Sequence, residues 1–172
     1  QLVSYIRNVV DFPKKGIVFR DITPLLADAK ALDKAVKAMV TPFLQEKIDA
    51  VVGAESRGFI FGVPIARELG CGFIPVRKTG KLPAEVVAQE YELEYGTDRL
   101  EIHADAIEPG QRILIVDDLL ATGGTMQACC KMVEKLGGKI VGLAFLIELA
   151  FLNGRRHLTE YDIHCLISYD KE

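Results

Sequence analysis

The chain has 172 residues, 49% of them apolar and 26% charged, with a formal net charge of −3. Those figures fit one soluble globular domain whose core needs no staples. They speak against a nucleic-acid partner, since a phosphate backbone rewards a basic face, but leave room for a small anion held by a few donors. The four cysteines, Cys71, Cys129, Cys130 and Cys165, form no Cys-x-x-Cys pair and have no histidine at ligand spacing. That disfavours zinc and reads as reduced, buried thiols of a cytoplasmic protein. No leader pattern opens the chain, and the longest apolar run, 140–147, falls short of the ~20 residues that cross a bilayer, so no membrane is expected.

In chain order, Leu32, Ala35, Val36, Met39, Val40 and Phe43 fall on one side of a helix that Pro42 ends or kinks. Residues 49–53 form a short β-branched run, and 58–69 carry a helical apolar stripe that stops at Gly70. Residues 72–76 and 112–116 read as buried strands. Residues 124–136 read as a helix with Met126, Cys129, Cys130, Val133 and Leu136 on one side, and 139–147 as a further strand. Gly137-Gly138 stops that helix. Alternating strands and helices, with continuously apolar strands, predict an α/β fold: a parallel β-sheet flanked by helices on both faces. The segment 78–103 breaks this rhythm. It is long, charged and tyrosine-rich, and pattern alone supports a lid over a ligand and a plain surface hairpin equally.

The strongest chemical signal runs from Ile113 to Thr125. A buried strand delivers Asp117 and Asp118 to its C-terminal edge, where open α/β sheets bind ligands. The turn Ala121-Thr122-Gly123-Gly124-Thr125 then opens directly into a helix. Backbone N–H groups, two hydroxyls and the helix N-terminus can together wrap a phosphate. Acids beside an anion cradle suit a sugar phosphate: the carboxylates accept hydrogen bonds from ribose hydroxyls while the turn holds the 5′-phosphate. The alternatives are a Walker B strand, a dinucleotide fold, or a glycine-rich turn with two solvated acids. The first two lack G-x-x-x-x-G-K-[ST] and G-x-G-x-x-G anywhere in the chain.

The stretch 117–125 resembles the phosphoribosyl pyrophosphate motif of the type I phosphoribosyltransferases. Gly16-Ile-Val-Phe19-Arg20-Asp21, Glu55-Ser56-Arg57-Gly58-Phe59, Arg77-Lys78-Thr79-Gly80-Lys81-Leu82-Pro83 and Glu94-Tyr95-Gly96 are similar, in order and spacing, to the adenine-specific members of that family. The resemblance covers nearly the whole chain. It implies a single domain with a small hood from about 1–30 plus 148–172 and a flexible lid loop at about 78–103. It also implies the Mg2+-dependent conversion of adenine and phosphoribosyl pyrophosphate to AMP and pyrophosphate.

By matching position, Asp117 and Asp118 would hold the ribose hydroxyls, directly or through magnesium, and Ala121, Thr122, Gly123, Gly124 and Thr125 the 5′-phosphate. Glu55, Ser56 and Arg57 would bind the pyrophosphate, from a loop whose counterparts hold a non-proline cis peptide. Arg57, Arg77, Lys78 and Lys81 would supply cations, with Arg77 reaching across a homodimer interface. Phe19 would stack on adenine, backbone groups at Val18 would read its exocyclic amine, Arg20 would address a ring nitrogen or the ligand, and Leu149 would close the slot. Glu94 would enter as the acid/base contact to adenine, with Tyr95 beside the leaving group. No direct side-chain ligation of magnesium is expected; substrate oxygens would hold it, with Asp117 or Asp118 assisting. His103, His157 and His164 match no motif and read as structural or exposed.

Two readings compete with this one. A phosphoribosyltransferase for another base is opposed by Val18-Phe19-Arg20 and Leu93-Glu94-Tyr95-Gly96. A non-catalytic regulator that senses phosphoribosyl pyrophosphate would carry a helix-turn-helix or a basic surface, and neither is visible.

Overall fold

A computed structural model describes residues 1–93 and 95–172. Near the N-terminus, β1 (Arg7–Val10) and β2 (Val18–Asp21) form a separate antiparallel ribbon. Seven further strands make the main sheet: β3 (Ala50–Ala54), β4 (Gly72–Lys78), β5 (Val86–Glu92), β6 (Thr97–His103), β7 (Arg112–Leu120), β8 (Lys139–Leu149) and β9 (Ile163–Tyr169). Their order is β5-β6-β4-β3-β7-β8-β9. The five from β4 to β9 in that order run parallel, as the apolar runs predict. The segment 78–103 supplies the antiparallel part: β5 and β6 pair from Val86↔His103 to Glu92↔Thr97, and β6 joins β4 at Arg77↔Glu101 and Lys78↔Leu100.

The α-helices among the described residues are α1 (Thr23–Ala27), α2 (Ala29–Val40), α3 (Arg57–Leu69) and α4 (Gly124–Lys135). Asp28 caps α2 by accepting from the Ala31 N–H at 2.8 Å. α2 gives way to a 3-10 turn, Thr41–Phe43, at Pro42, which has no N–H to continue the ladder.

Side chains along β7 alternate between two cores. Leu114 and Val116 pack with Val36 and Met39 of α2 and with Phe61 and Ile65 of α3. Ile113 and Ile115 pack with Met126, Cys129, Met132 and Val133 of α4 on the opposite face. All are buried. A strand covered on both faces has no polar side to show, which is why its sequence is continuously apolar. Each such side chain contributes ~1.5–3 kcal/mol on leaving water.

The C-terminal piece, 148–172, divides. β9 is an edge strand of the main sheet, whereas the last residues reach the β1–β2 ribbon through Lys171 and Glu172. No cysteine is in a disulfide: Cys129 and Cys130 are buried, Cys71 and Cys165 half-buried. No helix among the described residues is long and apolar enough to cross a membrane.

Candidate active site

β3 and β7 lie side by side and send their following helices to opposite faces of the sheet, so their C-terminal ends open a crevice where the winding reverses. A cavity of about 350 Å3 occupies it, lined by Glu55, Ser56, Arg57 and residues 117–126. Ten residues expected from the motifs therefore meet here: Glu55, Ser56, Arg57, Asp117, Asp118, Ala121, Thr122, Gly123, Gly124 and Thr125. Leu119, Leu120 and Met126 add walls that the motifs did not assign.

The first turns of α3 and α4, Arg57 and Gly124-Thr125, both line this cavity, and neither helix has a side-chain cap. Uncapped N–H groups and two positive helix ends are thus directed at one small volume. The Glu55–Ser56 peptide entering α3 is cis. Gly123, which enters α4, has φ +90°, and a Cβ there would lie 2.6 Å from the Gly154 carbonyl oxygen. Only glycine fits that turn.

The acids are held unequally. Arg57 Nε donates to Asp118 Oδ2 at 2.5 Å, and the Asp118 side chain is only 9% exposed. The Asp118 backbone N–H donates to Asp117 Oδ1 at 2.8 Å. Part of Asp117 remains accessible, but its carboxyl sits so close to Gly58 that a Cβ there would lie 3.2 Å from Oδ1. Burial, and then the charge of Asp118, push Asp117 well above the usual carboxylate range. Asp118 has a cation, Asp117 has an enclosed carboxyl that favours its proton, and the donors around them suit an anion.

Other expected residues have partners of their own. Glu55 Oε1 accepts from the Lys78 N–H at 2.8 Å and from Arg77 Nε at 3.1 Å, and that Lys78 N–H, with the Arg77 charge behind it, holds Glu55 below its ordinary pKa. The Lys78 ammonium pairs with Asp98 and donates to the Tyr91 hydroxyl at 3.2 Å, fastening β4 to the hairpin; Asp98 raises the Lys78 pKa. The Arg20 guanidinium donates to Asn8 Oδ1 at 2.7 Å and to the Lys171 carbonyl at 3.3 Å, and lies 4.0 Å from the Tyr169 ring centroid. The Val18 N–H donates to Glu172 Oε2 at 3.1 Å.

Phe19 stands edge-on to Phe12 and 6.0 Å from the Arg57 guanidinium, which links it to the crevice. Leu149 is half-buried at the end of β8, paired with Tyr169. Lys81 and Tyr95 are exposed. None of Val18, Phe19, Arg20, Arg77, Lys78, Lys81, Tyr95 or Leu149 lines the cavity at the β3–β7 crevice. Glu94 lies outside the described residues.

Within the segment 78–103, β5 and β6 pair as a hairpin that packs beside the 121–125 turn. Tyr91, Glu92 and Leu93 wall a second cavity of about 860 Å3 together with Thr122, Thr125 and Lys131. The sequence also left unassigned an ion pair behind the 121–125 turn, the buried Glu148 with the exposed Arg155. The Asn153-Gly154 dipeptide, a turn signal beside a buried strand, was the available hint.

The family model for the phosphoribosyl transferase domain matches residues 22–171. An adenine phosphoribosyltransferase of Rhodopirellula baltica is 55% identical over 168 residues, covering 98% of this chain and 82% of that protein. One from Brachyspira hyodysenteriae is 57% identical over 169 residues, covering 98% and 99%. The solved adenine phosphoribosyltransferase of Thermoanaerobacter pseudethanolicus has a TM-score of 0.94 at 56% identity over 96% of each chain. That of Saccharomyces cerevisiae, complexed with adenine and an imino-altritol bisphosphate, has a TM-score of 0.91 at 41% identity over 96% of each chain.

Proposed function

The chain belongs to the phosphoribosyltransferase family, and from that membership we propose that it joins adenine to phosphoribosyl pyrophosphate, forming AMP and pyrophosphate in purine salvage. The observation that carries this reading at the level of the site is the crevice between β3 and β7. Two uncapped helix N-termini meet there beside a pair of carboxylates at the end of a buried strand.

In this reading the N–H groups and hydroxyls of 121–125 hold the 5′-phosphate. Asp117 and Asp118 accept from the ribose hydroxyls, and Arg57 with Ser56 faces the pyrophosphate. Phe19, beside Arg57, stacks on adenine, and Leu149 closes the slot. The Val18 carbonyl accepts from the exocyclic amine, since the N–H of that residue is already engaged by Glu172. Arg20, held by Asn8 and Tyr169, shapes the ribbon that carries Phe19. Arg77, Lys78 and Lys81 add positive charge once pyrophosphate competes with Glu55 and Asp98.

In the reaction a ring nitrogen of adenine bonds to the anomeric carbon as the carbon–oxygen bond to pyrophosphate breaks and the nitrogen releases its proton. The transition state carries oxocarbenium-like positive charge, as in glycoside hydrolysis. Asp118, at the sugar end of the crevice in this reading, supplies the negative charge that stabilises it, while Asp117, held toward its protonated form, positions the ribose. By resemblance, Glu94 receives the proton, with Tyr95 beside the leaving group. The 86–103 hairpin, which overhangs α4, excludes water from the activated sugar.

The donor set fits magnesium held mainly by substrate. Asp117 and Asp118 are hard oxygen ligands, but no group of three or more His, Cys, Asp or Glu able to hold a metal ion occurs among the described residues. When bound, the ion neutralises the pyrophosphate leaving group. Four unpaired cysteines suit a cytoplasmic setting. The exposed apolar residues Ile60 and Val63 on α3, near the Arg57 turn, suit a homodimer, which light scattering tests.

The function is tested by assaying AMP and pyrophosphate formation with adenine, hypoxanthine, guanine and orotate in parallel. Turnover with adenine is expected. Turnover with another base instead would remove the roles of Val18 and Phe19 while keeping the sugar-phosphate site, and binding of phosphoribosyl pyrophosphate without turnover would make the chain a sensor.

A further inference from the structure

Three charged residues are buried among the described ones: Glu101, Asp118 and Glu148. The first accepts from the Gly80 N–H and from Arg99, and the second faces Arg57 in the crevice. Glu148 does neither. It is the penultimate residue of β8, directly opposite Leu120, the residue that precedes the phosphate turn. Both its oxygens are taken by one guanidinium: Arg155 Nε donates to Oε2 at 2.7 Å and Nη2 to Oε1 at 3.0 Å. A paired fork of this kind fixes orientation as well as charge.

Arg155 follows a residue whose backbone touches the phosphate turn. Gly154 is buried, and a Cβ on it would lie 2.4 Å from the Ala121 carbonyl oxygen and 3.2 Å from the Thr122 carbonyl carbon. In the other direction, a Cβ on Gly123 would meet the Gly154 carbonyl oxygen at 2.6 Å. Two main chains thus lie in contact with no side chain between them, behind a turn that no side chain caps. Arg155 itself does not line the cavity.

We infer that the Glu148–Arg155 pair is a positioning device for the phosphate turn: it pins the 153–157 loop, and Gly154 of that loop sets where the N–H groups of 121–125 point. The inference rests on the reading of that turn as the 5′-phosphate site. Arg155 acts through Gly154 and not on the ligand, so the effect is specific to the phosphate-bearing substrate.

The test compares Arg155→Met, Arg155→Lys and the double variant Glu148→Gln/Arg155→Met with the unaltered chain. Read out are KM for phosphoribosyl pyrophosphate, KM for adenine, Tm, and binding of ribose 5-phosphate by calorimetry. Arg155→Met is expected to raise KM for phosphoribosyl pyrophosphate about tenfold and leave that for adenine within about twofold, because a small misplacement of donors is felt only by the group they hold. Arg155→Lys recovers part of that loss.

The double variant separates positioning from stability. It removes the unpaired buried carboxylate, so Tm returns toward that of the unaltered chain. KM for phosphoribosyl pyrophosphate stays high, and ribose 5-phosphate binding stays weak. Should Arg155→Met not fold, the double variant alone decides. Recovery of KM together with Tm, an unchanged KM in Arg155→Met, or an equal rise for adenine would each overturn the inference. Turnover by the unaltered chain in the same assay judges the proposed function separately.

Discussion

Gly123 and Gly124 are neighbours in one motif, and the geometry assigns them opposite tolerances. Gly123 sits at φ +90°, where a side chain is strained by about 1–2 kcal/mol whatever surrounds it. Its Cβ would also meet the Gly154 carbonyl oxygen at 2.6 Å, a backbone atom that yields only if the 153–157 loop moves. Gly123→Ala should therefore lose about 2–3 kcal/mol in all, which is a fall in Tm of roughly 4–12 °C for a chain of this size. Gly124 lies in the first turn of α4, and a Cβ there would find its nearest contact at 3.7 Å, on Tyr91. Gly124→Ala should keep Tm within about 2 °C, since alanine favours the helix and displaces nothing. Differential scanning calorimetry on the two variants reads the contrast directly. Equal falls in Tm, or a silent Gly123→Ala, would refute the claim that the turn is set by its contact with Gly154.

Arg57→Met strands the Asp118 carboxylate without its cation and should lose about 1–3 kcal/mol, limited by the half-exposed state of Arg57, while raising KM for phosphoribosyl pyrophosphate. Adding Asp118→Asn should restore Tm and not the affinity, which thermal melts with steady-state kinetics would check. Asp117→Asn should melt higher than the unaltered chain at neutral pH. Its folded-state pKa is raised, so the folded carboxyl keeps a proton that the unfolded chain gives up, and stability falls as pH rises above about 4. The advantage of the asparagine should fade as melts are taken toward pH 4. Phe19→Ala should raise KM for adenine about 5- to 150-fold, the worth of one stacked base, with a smaller effect on phosphoribosyl pyrophosphate, in kinetics with each substrate varied in turn.

How much of this could be read without coordinates differs from one segment to the next for physical reasons. β3, β7 and β8 were legible because burial on both faces leaves a continuous apolar run, and α3 and α4 because packing on one face leaves an apolar stripe. The β1–β2 ribbon was not, since three of the four β1 residues are exposed and none of the β2 residues is buried. β9 escaped too: it is a half-buried edge strand behind a charged, irregular stretch. The 117–125 turn was legible as a site because its geometry is made by contiguous main chain. Arg20, Arg77 and Lys78 were legible as cations, but their partners Tyr169, Glu55 and Asp98 are chosen by tertiary contacts that no local pattern encodes. The same holds for Glu148, whose strand gives no sign that Arg155 will cover it.

The pairing of the two aspartates explains how an acidic motif can receive a polyanion. Read from the sequence, Asp117-Asp118 places two negative charges beside the phosphate turn of a chain that is already acidic overall. In the structure Arg57 answers one of them, and enclosure holds the other toward its protonated form. The crevice therefore presents less negative charge than its composition suggests, while the ends of α3 and α4 supply positive potential, which suits the polyanionic substrate proposed for it. The arrangement also leaves charge in reserve. On the proposed reading, pyrophosphate would draw Arg57 toward itself and leave the Asp118 carboxylate without its partner just where the sugar becomes cationic, so that electrostatic stabilisation would grow along the reaction instead of being spent on the ground state.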